Sequence, residues 1–201
     1  MEVRTVAVIG AGAMGRSIAY AAALGGYHTI LEDILPAALR RAESEIRNNL
    51  AEAVELGTLA APAARAALER LEFARSVEEA ARQADLVIEA VPDELESKLE
   101  IFTLLDKICR PATILATNTC ALSVSEIASV TYRAPRCVGM RFVNPMENTR
   151  LEIVRGFQTD EGTVGAAVEV GRRMSKETVV IREKPESTTE TQSRREKQFS
   201  D

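Results

Sequence analysis

The most constraining feature of this chain is the passage RTVAVI-GAGAMG near its start. A β-branched run from Arg4 to Ile9 breaks at Gly10 into a glycine-rich turn, and an alanine-rich stretch follows from Met14 to Leu24. A short continuous apolar run suits a strand buried on both faces, and alanine has the strongest helix propensity. The glycines at Gly10, Gly12 and Gly15, with Ala13 and Met14 between the last two, have separate tasks. Gly10 makes the tight turn, Gly12 lets backbone approach a pyrophosphate, and Gly15 lets helix and strand pack closely. Unpaired amides and the helix dipole at that N-terminus favour negative charge. GGYHTILED then predicts a turn at Gly25–Gly26 and a second strand from about Tyr27 to Glu32, with Asp33 just beyond. That is where a carboxylate meets the ribose hydroxyls of a bound dinucleotide. The plainer alternative is a strand–helix turn that holds no ligand. Asp33 would repel a 2′-phosphate, and no Lys or Arg follows before Arg40, so NAD is expected over NADP.

The rest of the chain alternates in the same way. Pro36 opens a long amphipathic helix ending near Gly57, and Pro62 opens a second one to about Leu71. The two read as an antiparallel helical excursion from the sheet. Leu71–Ala74 is a short strand, and Ser76 caps the helix VEEAARQ with Glu79 in capping-box position. DLVIEAV is a buried strand, followed by a helix over Glu94–Ile108. TILATN, CVGMRFV, LEIV and TVVI are further strands, with helices from Ser123 and from about Asp160 to Met174. This pattern predicts an α/β, Rossmann-type doubly wound, mainly parallel sheet. It fills residues 1–184. The tail is taken from residue 185, and from Glu186 on ESTTETQSRREKQFSD has no aliphatic residue and no periodicity, so a disordered tail is expected.

Composition excludes several classes. With 25 Lys+Arg against 30 Asp+Glu and a net charge of −5, no nucleic-acid partner is expected. Three scattered cysteines and one histidine make neither a disulfide framework nor a zinc site, so no metal and a reducing cytoplasm are expected. Cys109 and Cys137 read as core fillers. No apolar run is long enough for a membrane span, and Met1 leads straight into the first strand, leaving no room for a secretory leader.

GAGAMG, VIEAVPDELESKLEIFTLLD, ILATNTCALSVSEIA and VGMRFVNP…LEIVRG together resemble the L-3-hydroxyacyl-CoA dehydrogenase family, in register from about Val3 to Ile181. The resemblance implies an NAD-binding domain with a helical hairpin after the second strand, and an acyl-CoA thioester as substrate. Asp33 falls on the family's ribose carboxylate, Asp93 on a position normally Glu near the nicotinamide, and Lys98 on a cofactor-contacting Lys. Asn118 falls in the NTS-type motif at a strand end.

Three departures accompany the matches. Where the family reads NTSSL and the first Ser binds the substrate carbonyl, this chain has Asn118-Thr119-Cys120-Ala121-Leu122, and a thiol is a much weaker donor. As a nucleophile Cys120 would want a neighbouring base, and no His is available. Where the family reads HFFNP with His as general base, this chain has Arg141-Phe142-Val143-Asn144-Pro145. An arginine cannot be deprotonated at working pH. The only histidine, His28, begins the second strand, roughly 17 Å from its carboxyl end at about 3.3 Å per residue, and reads as structural. Glu152 falls on the carboxylate that orients the family's His, so Arg141 and Glu152 form either an ion pair in place of a His–Glu dyad or a site where each keeps a catalytic role. Asn144 and Cys120 complete that half. Finally, Lys184-Pro185 opens like the family's linker to a helical C-terminal domain, but ESTTETQ follows, so that domain is expected to be absent. Its loss would expose apolar surface and favour self-association into a homo-oligomer.

Three functions remain open on these residues. They are a 3-hydroxyacyl-CoA dehydrogenase, an NAD-binding protein without turnover, and a dehydrogenase whose Arg141 grips the carboxylate of an acidic hydroxy acid.

Overall fold

The structure, a computed structural model, describes residues 2–143 and 149–184. The first strand, β1 (Thr5–Ile9), lies mid-sheet with Val6, Ala7 and Val8 fully buried. Its alternation divides the core. Val6 and Val8 pack with Ile18, Leu39, Ile46 and Val170 on one face, whereas Ala7 and Ile9 pack with Val87, Phe102, Leu105 and Ile127 on the other. Each of the Val, Leu, Ile and Phe side chains contributes about 1.5–3 kcal/mol when fully buried. This two-sided demand is why the strands read as unbroken apolar runs.

Helix α1 (Ala13–Leu24) returns the chain to β2 (His28–Glu32), and the hairpin α2 (Pro36–Glu55) and α3 (Ala61–Glu69) leads into β3 (Leu71–Ala74). Then come α4 (Val77–Ala81), β4 (Leu86–Glu89), α5 (Leu95–Ile108), β5 (Ile114–Thr117) and α6 (Val124–Ala128). The last elements are β6 (Cys137–Phe142), β7 (Arg150–Arg155), α7 (Glu161–Arg173) and β8 (Glu177–Arg182). Helix starts follow local signals: Ser76, Ser123 and Asp160 each accept an amide hydrogen bond from the residue three positions on.

The eight strands are ordered β3-β2-β1-β4-β5-β6-β7-β8. All pairs are parallel except β6–β7, so β7 and β8 run against the others. No helix joins β6 to β7 among the described residues, and an antiparallel return is what a short connection permits. The strand order reverses between β1 and β4. Ligands of such sheets lie outside the carboxyl ends of the strands at that switch point. His28 opens β2, far from that edge, and its imidazole pairs with Glu72 at 2.9 Å, as a structural residue would. Residues 185–201, expected as a tail, lie outside the described residues.

Candidate active site

The crevice begins at the turn after β1. Gly10 has φ +100°, a left-handed value that a side chain would strain, and a Cβ there would lie 2.9 Å from the Ala90 carbonyl oxygen. A Cβ on Gly15 would lie 1.7 Å from the Gly10 carbonyl oxygen. Gly12 differs: it is the N-cap of α1, and a Cβ there would meet nothing within 4 Å among the described residues. It can supply no capping side chain, and the first turn of α1 holds no acidic residue. The amides of Ala13, Met14 and Gly15 therefore open a positive helix end beside empty space, a cradle that fits a pyrophosphate.

Asp33 stands at the other side of this turn. Its carboxylate accepts from the Ala11 amide at 2.9 Å and from the Leu35 amide at 2.8 Å, tying the glycine turn to the start of the helical hairpin. Each oxygen keeps a further lone pair for a ribose hydroxyl. Adjacent Glu32 is buried, and desolvation, followed by the Asp33 charge, pushes its carboxyl up to about 7. The sequence pattern singled out Asp33 by its place just beyond the strand and assigned Glu32 no role, because the burial that distinguishes Glu32 is not encoded in residue type.

Across the switch point the rim is formed by the loops after β4 and β5. Asp93 is 41% exposed, and its carboxylate accepts from the Cys120 amide at 3.3 Å. The Asn118 side-chain oxygen accepts from the Phe142 amide at 3.0 Å, joining the ends of β5 and β6. Cys120 is exposed at the rim, whereas Cys109 and Cys137 are core residues whose thiols burial pushes up to about 11.

Lys98, which the resemblance placed on a cofactor-contacting lysine, lies inside the domain. It is fully buried, and its amine lies 2.7 and 3.0 Å from the two oxygens of Glu89, itself fully buried. From the first turns of α5 it reaches inward to Glu89 at the end of β4, beneath the crevice. Sequence reasoning missed Glu89 and Thr117 as its partners. A charged residue inside the apolar run DLVIEAV was the signal for the first.

At the far end, Arg141 donates from Nε to the Thr119 carbonyl at 2.9 Å and from its terminal nitrogen to Glu152 at 3.1 Å. Arg150, also missed, reaches the second Glu152 oxygen at 2.9 Å. One carboxylate is thus bracketed by two guanidiniums, the Arg141–Glu152 ion pair being one of the two arrangements expected where the family has a His–Glu dyad. Asn144 lies outside the described residues. Among the described residues, no group of His, Cys, Asp and Glu could hold a metal ion, and no helix is long and apolar enough to cross a membrane.

Strand order, glycine cradle and terminal carboxylate define a Rossmann-type dinucleotide-binding domain. The chain belongs to the 3-hydroxyacyl-CoA dehydrogenase family: residues 5–184 match that family's NAD binding domain, so NAD is the cofactor. It is 37% identical over 186 residues to the probable 3-hydroxybutyryl-CoA dehydrogenase of Bacillus subtilis, covering 92% of this chain and 64% of that one. It is 40% identical over 160 residues to the 3-hydroxyadipyl-CoA dehydrogenase of Escherichia coli, covering 79% of this chain and 34% of that protein. The crystal structure of 3-hydroxybutyryl-CoA dehydrogenase from Escherichia coli superposes with a TM-score of 0.88 at 36% identity, over 92% of this chain and 39% of that one. The chain therefore spans less than two thirds of these relatives.

Proposed function

We propose that this chain serves an NAD-dependent 3-hydroxyacyl-CoA dehydrogenase reaction, in which NAD exchanges a hydride with C3 of a 3-hydroxyacyl thioester. The observation that carries the reading is the open amide cradle at Gly12 facing Asp33 across one turn, within a chain of this family. Gly10, Gly12, Ala13, Met14 and Gly15 hold the pyrophosphate, and Asp33 takes the adenosine ribose. Asp93 and Asn118 shape the nicotinamide end, with Lys98 beneath. Cys120, Arg141 and Glu152 surround the acyl group, and the family resemblance assigns Asn144 to the same half. In this reading Arg141 donates hydrogen bonds toward the C3 oxygen and Glu152 fixes the guanidinium. A permanent donor cannot take up the hydroxyl proton, so turnover is slow.

That last point favours a second reading, NAD binding without turnover, because Arg141 is already held by Thr119 and Glu152. NADH titration followed by addition of acetoacetyl-CoA, monitored at 340 nm, separates the two. Saturable NADH binding with a thioester-dependent fall in absorbance supports the first reading; binding with no fall supports the second. Failure to bind NADH overturns both.

Self-association and a cytoplasmic location belong to the same reading. Edge strand β8 exposes Val179 at 40% and Val180 at 47%, and the three cysteines are free. Light scattering reads the first: a monomer at high concentration would contradict it.

A further inference from the structure

Glu89 and Lys98 form an ion pair in which both side chains are fully buried. The Glu89 carboxylate accepts four hydrogen bonds: two from the Lys98 amine, one from the Thr117 hydroxyl at 2.7 Å and one from the Val91 amide at 2.8 Å. The ammonium extends further, to the Val91 carbonyl at 3.5 Å, the Asn118 carbonyl at 3.4 Å and the Asp93 carboxylate at 3.7 Å. Burial pushes the Glu89 carboxyl up, and Lys98, Thr117 and the Val91 amide draw it back.

Such a pair is a poor source of stability, because desolvating two charges costs about what their attraction returns. What it supplies is geometry. The end of β4, the first turns of α5 and the end of β5 are all fastened to one ammonium, and the loops at Val91–Asp93 and Asn118–Cys120 leave from those points. The crevice has an internal order. Asp33 after β2 lies at the adenosine ribose and the glycine turn after β1 at the pyrophosphate, so the ends of β4 and β5 underlie the nicotinamide riboside half.

We propose that Glu89, assisted by Thr117, is a positioning residue for the nicotinamide half of the cofactor site. It acts through Lys98 by holding the Asp93 and Asn118 loops at a fixed separation. The inference rests on the reading of the crevice as the NAD site.

The test compares two ligands that share the adenosine and pyrophosphate but differ at the nicotinamide. Titrations of NADH and of ADP-ribose are run on the unsubstituted protein, Glu89→Gln and Thr117→Val, each with a thermal melt. Glu89→Gln is expected to weaken NADH at least tenfold while ADP-ribose stays within twofold. Thr117→Val removes one hydrogen bond and leaves the ion pair, so NADH weakens about threefold and ADP-ribose does not change. If Glu89→Gln fails to fold, Thr117→Val decides. Equal weakening of both ligands, or of neither, overturns the proposal and leaves the cofactor reading intact. An unsubstituted protein that binds ADP-ribose and NADH equally well also overturns it, whereas one that binds neither overturns the cofactor reading itself.

Discussion

Arg141 and Glu152 are register partners across the antiparallel β6–β7 seam, and their side chains close to 3.1 Å at the carboxyl end of the parallel strands. Side-chain exposures of 24% and 20% leave the pair partly hydrated, so its worth is about 1 kcal/mol or less and chemistry outweighs stability there. Arg141→His would set a titratable imidazole opposite the same carboxylate. The acetoacetyl-CoA-dependent rate of NADH oxidation should rise about 100-fold or more, the usual worth of a general base, with NADH affinity within twofold. An Arg141→His protein that binds NADH and remains as slow as its parent would sink the assignment of this position.

Gly12 and Gly15 separate ligand binding from folding. Gly12 has φ −64°, open to any residue, so Gly12→Ala should change stability by about 0.5 kcal/mol at most. Its methyl group stands in the cradle, so NADH affinity should drop about tenfold, or 1.4 kcal/mol. Gly15→Ala instead drives a methyl into the Gly10 carbonyl and should destabilise by about 3 kcal/mol or more. Melting temperatures and NADH titrations on both proteins check this; equal behaviour would refute it.

Glu32 predicts a pH dependence with a definite sign. Its folded carboxyl sits at about 7, above the ordinary 4.5, so the native state binds its proton more tightly than the unfolded chain does. The resulting stability is fully present below about pH 4.5 and lost as pH rises through about 7. The unfolding free energy of the parent relative to Glu32→Gln should therefore fall between pH 4.5 and 8, by about 3 kcal/mol at most. Urea titrations at pH 4.5, 6 and 8 measure the difference, and a flat one would contradict the buried placement.

Asp33 should govern cofactor choice. Asp33→Asn keeps the shape and removes the charge that repels a 2′-phosphate. The ratio of NADPH to NADH dissociation constants should shift toward NADPH by about tenfold, or 1.4 kcal/mol. An unchanged ratio in competitive titrations would show that another group sets the preference.

Most of this fold is legible in the chain because its determinants are local. The glycine turn, the apolar strand runs, the Ser76 cap and the helix starts near Ser123 and Asp160 each depend on a few residues, and each appears where its pattern predicts. Asp33 was legible because its distance from the glycine turn is set by one strand–helix–strand unit. The sequence by itself also determined that position 141 cannot serve as a base, since that follows from residue type alone. Only the tertiary structure decided which of the neighbouring carboxylates Glu32 and Asp33 is buried, that Lys98 lies beneath the crevice bound to Glu89, and that Glu152 is bracketed by Arg141 and Arg150. Whether a charged side chain faces water, a partner or the core depends on desolvation and on groups brought together from distant parts of the chain, and no local pattern encodes either.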